Sequence, residues 1–342
     1  MKRALILALA AAAVLATATG SNAGDAATAG DPGIGRTPAR PVHTYSIVAR
    51  DSVTGEMGVA VQSHWFSVGT VVSWAEAGVG AVATQSLAEI SYGPLGLALM
   101  RAGKTAQQAL DALLLADPNS DVRQVAMVDA DGSVAVHTGS RCIAEAGDRT
   151  GGQFSVQANL MENPTVPGAM ALAYETASGE LADRMLAALE AAQAEGGDIR
   201  GKQSAAILIV KPESSGRPYM DKAMDLRVDD HEEPIKELRR LITVHRAYEY
   251  MNAGDEHLAL CDDAAAQVAY ARAAELMPNN PEIKFWAAIT MMKAGQGREA
   301  LSYFAEVFEV DEKWREVVLR LPQSGLLPND PEMIEAILSA GR

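Results

Sequence analysis

The chain has 342 residues, a length that suggests two domains, and an apolar content of 48%, which excludes a chain too polar to build packed cores. Lys plus Arg number 29 against 44 Asp plus Glu, a formal charge of -15, and the basic residues do not cluster, so no nucleic-acid surface is expected. Its two cysteines, Cys142 and Cys261, make no disulfide framework; a bridge is one reading and two isolated small hydrophobes the favoured one.

The first residues, MKRALILALAAAAVLATATGSNA, combine Lys2 and Arg3 with an apolar run from Ala4 to Ala16 and small residues Ser21 and Ala23 at a cleavage point. This reads as a secretory signal peptide over 1–23, and periplasmic or secreted location is expected. An anchor helix is the alternative, but the run is short and Ala-rich for a span. No Cys near the cleavage point offers a lipid anchor, and no other segment approaches membrane length, so no membrane anchor is expected. Residues 24–42 are rich in Gly, Ala, Pro and Thr without periodicity, the composition of a flexible leader.

Alternation of Tyr45, Ile47 and Ala49 with Thr44, Ser46 and Val48 predicts a strand that begins at Thr44, and Asp51 to Gly55 predicts a hairpin turn. Met57 to Gln62 returns as a second strand, and Val79 to Thr84 supplies a third after a loop that carries Ser63, His64 and Trp74. Gly93 to Met100 and Thr105 to Ala116 read as helices with leucine stripes. Gln124 to Asp129 and Ser133 to His137 flank a hairpin signal at Ala130-Asp131-Gly132, and Phe154 to Leu160 reads as a further strand. Helices at Pro167 to Thr176 and Gly179 to Ala194 precede Ala205 to Val210, an apolar run expected for a strand buried on both faces. The acidic run Asp221 to His231 places Asp225, Asp229, Asp230 and His231 at spacings that suit a divalent cation, but an acidic edge strand and loop paired to Arg227 is the stronger account, and no metal is expected. Phosphate-loop, dinucleotide, HExxH and GxSxG patterns do not occur in the sequence.

A hydroxyl on the first residue of a strand suggests one chemistry. A cut before Thr44 would place a new α-amine beside its hydroxyl, and an amine with a pKa near 8 can take the hydroxyl proton without a catalytic histidine. The bland reading is a Thr at the start of an edge strand, with Ser46 the fallback hydroxyl.

HTYSIVARD, TGEMGVAVQSHWFSVG, WAEAGVGAVATQS, SYGPLGLALM, VQANLM, GKQSAAILIV and DLRVDDHEEP, in that order over about 43–245, resemble the family called domain of unknown function 1028, grouped with the N-terminal-nucleophile (Ntn) hydrolase-like folds. The resemblance implies an α+β chain whose residues 43–235 form a four-layer αββα sandwich. It implies Thr44 as nucleophile, Ser63 and His64 on a loop near it, and the Gln85 region as oxyanion donor, where a structural histidine at 64 and a Thr84 to Ser86 turn that only caps the next helix are the competing readings. Asn159, which can both donate and accept, suits substrate binding together with Ser86, or ties down a loop. By this resemblance many members of the family begin close to the corresponding Thr, whereas 24–42 precede it here as an expected leader.

From about Glu237 the pattern is all helical. Ala266, Tyr270 and Ala273 recur 34 residues later as Ala300, Phe304 and Val307, which resembles tetratricopeptide (TPR) repeats, with Glu312 where that pattern prefers Pro. Residues 236–342 are expected to be a TPR-like domain, closed by a helical cap from Trp314 to Leu338, that recruits a protein partner or packs a homodimer.

Two functions stay open at this point. One is an exported Ntn-type hydrolase, without cofactor, that cleaves an amide bond in a small molecule or peptide. The other is a noncatalytic binding or scaffold protein on the same fold. A variant of the first puts catalysis on internal side chains, with His64 as base.

Overall fold

The computed structural model describes residues 42–342 except Cys261. The signal peptide expected at 1–23, the leader up to residue 41 and Cys261 lie outside the described residues. Val42, expected to be leader, is part of the fold: it bridges Ser86 in antiparallel fashion.

Strand β1 (Thr44–Arg50) turns into β2 (Met57–Ser63) as the hairpin signal requires. Asp51 Oδ1 accepts from the amides of Val53 and Thr54 at 2.7 and 3.0 Å, and Gly55 closes the turn at φ +77°, a left-handed conformation that a side chain resists. The expected loop after β2 instead contains a short helix α1 (Gly69–Val72) and an edge strand β3 (Ser73–Glu76) that carries Trp74. Its SWAE sequence has too little alternation to announce a strand, and pairing with β4 (Gly80–Ser86) makes it one. Helices α2 (Tyr92–Arg101) and α3 (Ala106–Ala116) follow, the latter opened by a capping box between Thr105 and Gln108. Then come β5 (Arg123–Asp129), β6 (Val134–Thr138), β7 (Gly147–Gly151) and β8 (Phe154–Ala158). Strand β7 has the sequence GDRTG, which lacks any apolar face, and it lies at a sheet edge where polar residues are tolerated. Helices α4 (Val166–Thr176) and α5 (Leu181–Ala194) lead to β9 (Ser204–Val210) and the edge strand β10 (Lys222–Val228).

The strands form a six-stranded antiparallel sheet, ordered β10-β9-β2-β1-β8-β7, and a four-stranded one, ordered β3-β4-β5-β6. Period-two alternation in β1 sorts its side chains between two cores. Tyr45, Ile47 and Ala49 pack with Met170, Met185 and Leu189 of α4 and α5, while Val48 packs with Val59, Val61, Ala81 and Ala126 between the sheets. A third core joins Val82 and Met127 to Leu97, Leu110 and Leu113 of α2 and α3. The layers therefore run helices, sheet, sheet, helices, an α+β arrangement in which β1 is central and buried on both faces.

Beyond the sheets the chain is helical: α6 (Pro234–Ala259), α7 (Asp263–Leu276), α8 (Pro281–Lys293), α9 (Gly297–Val310), α10 (Trp314–Ser324) and α11 (Pro331–Leu338). The boundary expected between 235 and 236 falls inside α6, whose first half buries Ile235, Leu238 and Ile242 in the α4/α5 core. Its second half buries Ala247 and Met251 against Ala266, Tyr270 and Ala273 of α7. Ala300, Phe304 and Val307 of α9 are buried with Phe285 of α8 and Val318 of α10, so both members of the repeated sequence pattern are core positions. Among the described residues, no helix is long and apolar enough to cross a membrane.

Candidate functional site

Along most of the interface between the sheets the contacts are aliphatic, but beside the start of β1 they are uncharged and polar. Ser46 pairs with Gln157 across β1 and β8, and Gln85 pairs with Gln124 across β4 and β5. The two pairs interlock: Ser46 Oγ donates to Gln85 Oε1 at 2.6 Å, Gln157 Nε2 to Ser46 Oγ at 2.5 Å, and Gln85 Nε2 to Gln124 Oε1 at 2.7 Å. All four residues are fully buried, where an unpaired amide would cost about 1–3 kcal/mol, so their mutual satisfaction fixes how the sheets face each other.

The same network sets the orientation of Asn159. Gln124 Nε2 donates to the Ala158 carbonyl at 2.9 Å, which turns its Oε1 to accept from Asn159 Nδ2, also at 2.9 Å. Asn159 then presents Oδ1 to the His43 ring, whose Nδ1 lies 2.7 Å away and must carry the proton. Burial holds the His43 pKa below the usual histidine value; the Asn159 bond and Asp198 oppose this, and Arg200 reinforces it. The imidazole is therefore neutral at pH 7.

The main chain around Thr44 is held as firmly as the side chains. Thr44 is fully buried, and its hydroxyl folds back to donate to the Val42 carbonyl at 2.9 Å, on the leader side of its own residue. The carbonyl oxygen of Thr44 accepts from the Asn159 amide at 3.1 Å and from Gln85 Nε2 at 3.3 Å. The carbonyl oxygen of His43 receives the Ser63 hydroxyl and, at 2.9 Å, Nη2 of Arg200. Asp198 fixes that guanidinium from two sides, with Arg200 Nη2 2.6 Å from Oδ2 and Nε 3.0 Å from Oδ1. Val42 exchanges both backbone hydrogen bonds with Ser86, at 2.6 and 2.9 Å. Ser86, which closes β4, and Leu160, which follows Asn159, sit at φ +69° and +58°, left-handed backbone that costs strain in residues with a side chain.

The structure thus brings Thr44, Ser63, Gln85, Ser86 and Asn159 together, but not all in the roles expected of them. Gln85 reaches the carbonyl of Thr44 itself, and the donors on the preceding carbonyl are Ser63 and Arg200. Ser86 contributes its backbone to Val42. Ser46 is committed to two glutamines. His64 is exposed; only its backbone amide approaches the site, at 3.2 Å from Asp198, and its side chain lines a separate surface cleft of about 610 Å³ with Lys202, Gln203, Asp230 and His231. The acidic run is divided among separate partners: Asp225 pairs with Lys222, Asp229 accepts from Ser67, Asp230 accepts from Gln203 and His231 accepts from the Glu233 amide. The Cys142 thiol donates to the Arg123 carbonyl, and burial pushes its pKa up.

Sequence reasoning missed Asp198, Arg200, Gln124 and Gln157. Asp198 and Arg200 stand in a glycine-flanked turn, Gly197 to Gly201, before a strand, and the two glutamines stand within strands that are mostly apolar, which is the signal that would have found them.

Residues 44–238 match the family described as "Family of unknown function (DUF1028)". Among solved structures, the chain is similar to the crystal structure of protein SPO2555 from Silicibacter pomeroyi, described under the same family, with 30% sequence identity and a TM-score of 0.52 over 58% of this chain and 88% of that one. No curated protein matches. The matched span runs from β1 into the first turns of α6 and holds every residue of the network except Val42 and His43. The chain belongs to the DUF1028 family.

Proposed function

We propose that the protein is an exported hydrolase of the Ntn type, which opens its own site by cutting between His43 and Thr44 and then cleaves an amide bond in a small molecule or peptide. The observation that carries this reading is the His43 carbonyl oxygen, gripped by a neutral hydroxyl and a guanidinium while the Thr44 hydroxyl lies folded back across the same peptide. Two donors on one carbonyl oxygen polarise its carbon and stabilise the negative charge that develops on attack.

In the first cut, Thr44 Oγ1 bonds to the His43 carbonyl carbon and the carbon–nitrogen bond breaks. The hydroxyl proton ends on the departing Thr44 nitrogen. Water then hydrolyses the ester, which releases the His43 carboxylate and restores the hydroxyl. The freed α-amine is thereafter the base for Thr44, and the Arg200 charge beside it favours the neutral amine that can accept a proton. In later turnovers Ser63 and Arg200 bind the substrate oxygen, and Asn159 orients the acyl group. The helical region from α6 onward is the surface we assign to a protein partner or a second copy. Location in the periplasm or outside the cell rests on the N-terminal sequence.

The complete burial of Thr44 favours a second reading, a binding or scaffold protein that is never cut. Intact mass and N-terminal sequencing of the protein from its exported fraction decide between them. A chain that starts at Thr44, with Thr44→Ala remaining whole, supports the hydrolase. A wild-type chain that keeps residues before Thr44 leaves the scaffold, or an enzyme that uses internal residues; loss of activity in His64→Ala would mark the latter.

A further inference from the structure

We infer that Val42 and His43 occupy the acyl side of the substrate cleft, so that the substrate is an extended peptide cut after a neutral, hydrogen-bond-donating residue that follows an apolar one. This inference rests on the Ntn reading of Thr44 and adds the substrate class to it.

Three contacts define the subsites. The carbonyl of His43 lies between Ser63 and Arg200, where the reacting carbonyl of any substrate must sit. Its side chain fills a closed pocket, 2% exposed, whose floor is Asn159 Oδ1 at 2.7 Å. Because Gln124 claims Asn159 Nδ2, the pocket offers an acceptor and asks for a donor. A carboxylate would face that acceptor unpaired and next to the Asp198 carboxylate. A lysine would bring a second cation to Arg200, which already holds the neighbouring oxygen. Neutral imidazole and the primary amide of glutamine fit both demands.

One residue further out, Val42 is 3% exposed and packs in the core between the sheets. It exchanges both of its backbone hydrogen bonds with Ser86, whose left-handed φ of +69° turns the end of β4 toward the leader. That pair is a one-residue strand addition, the way a sheet edge takes an extended peptide. When the leader departs, the Ser86 amide and carbonyl are left without these partners, and a peptide backbone restores them where a compact small molecule does not.

The test uses the full-length processed chain and four coumarin amides: acetyl-Val-His-, acetyl-Val-Gln-, acetyl-Val-Lys- and acetyl-Val-Glu-7-amino-4-methylcoumarin at pH 7.5. The expected result is kcat/KM at least about tenfold higher for the His and Gln amides than for the Lys and Glu amides, the size of discrimination that one buried hydrogen-bonding group provides. In Asn159→Asp, the Lys to Gln ratio rises by about tenfold or more, because the floor of the pocket becomes an anion; the ratio reads specificity independently of how much active protein survives. A chain that starts at Thr44 but shows a flat profile, prefers Lys or Glu, or turns over only non-peptide amides overturns this inference and leaves the nucleophile reading standing. A chain that never exposes Thr44 overturns both.

Discussion

Nη2 of Arg200 lies 2.9 Å from the carbonyl oxygen of His43, and the Ser63 hydroxyl donates to that same oxygen, so the peptide bond before Thr44 is polarised by one charged and one neutral donor. Loss of one such donor slows a reaction through an oxyanion by about 10²–10³-fold. In the folded protein the same bond is worth only about 1 kcal/mol. Ser63→Ala is therefore expected to fold and to cut before Thr44 at least about a hundredfold more slowly than wild type. A mass-spectrometric time course on freshly purified chains checks it, and an unchanged rate in a folded Ser63→Ala protein would remove this carbonyl from the reaction.

His43 gives the uncut chain a specific pH response. Burial holds its pKa in the folded state below the ordinary value, with Arg200 acting in the same direction. The unfolded chain, with an imidazole pKa of about 6.5, therefore takes up the proton first as pH falls. The stability from a neutral, buried His43 is complete above that value and is lost as pH drops toward the folded pKa. Melting temperatures of Thr44→Ala between pH 7.5 and 5.5 should fall more than those of Thr44→Ala/His43→Gln. Equal slopes would mean that His43 is not the group responsible.

How much of this site was legible beforehand depended on whether a residue's surroundings are local. Thr44, Ser63 and Asn159 stand at the ends of strands whose periodicity marks them, and hairpins set the β1–β2 and β5–β6 pairs. Arg200 is 157 positions from the carbonyl it grips, and Gln85 lies 39 positions from Ser46 and 39 from Gln124, so nothing in the neighbouring sequence reports these contacts. His64 follows a residue in the site and is therefore suspected from sequence, yet it lies beyond the end of β2 and is exposed. Strands β3 and β7 went unread because edge strands need no apolar face.

The buried pair of Asp117 and Arg123, 2.7 Å apart with both side chains fully excluded from solvent, supports the site from behind. Arg123 also donates to the carbonyl of Leu87 at 2.6 Å, next to Ser86, and Tyr92 donates to Asp117. Burial raises the Asp117 pKa, but the Arg123 bond and the Asn119 amide outweigh it and leave the carboxyl below its ordinary range. Arg123→Met is expected to cost about 3–5 kcal/mol, because it leaves a buried carboxylate without its cation, and Asp117→Asn on top of it should recover part of that loss. The folded pKa of Asp117 is depressed, so its contribution is present above about pH 4 and disappears as pH falls through the folded value. Urea melts at pH 7 and pH 3 should show a smaller difference between wild type and Arg123→Met at the lower pH; a difference independent of pH would mean the pair acts through packing alone.

Phe304 lies in a hydrophobic core distinct from that of the six-stranded sheet and its helices. Its ring is fully buried, with its centre 5.7 Å from that of Phe285 and 5.8 Å from that of Phe308, at the middle of the core formed by α8, α9 and α10. Phe304→Ala should cost about 3–5 kcal/mol of local stability. The first half of α6 belongs to a different core, with Ile235, Leu238 and Ile242 packed among residues of the six-stranded sheet and α5. The loss should therefore stay on the far side of α6. Hydrogen exchange of Phe304→Ala is expected to accelerate in α8 to α10 while amides of β1 and β2 keep wild-type protection, the behaviour of two cooperative units joined by a shared helix. Equal acceleration in β1 would make the chain a single unit, and the helical region would then be a structural support of the Thr44 site rather than a separable surface for a partner.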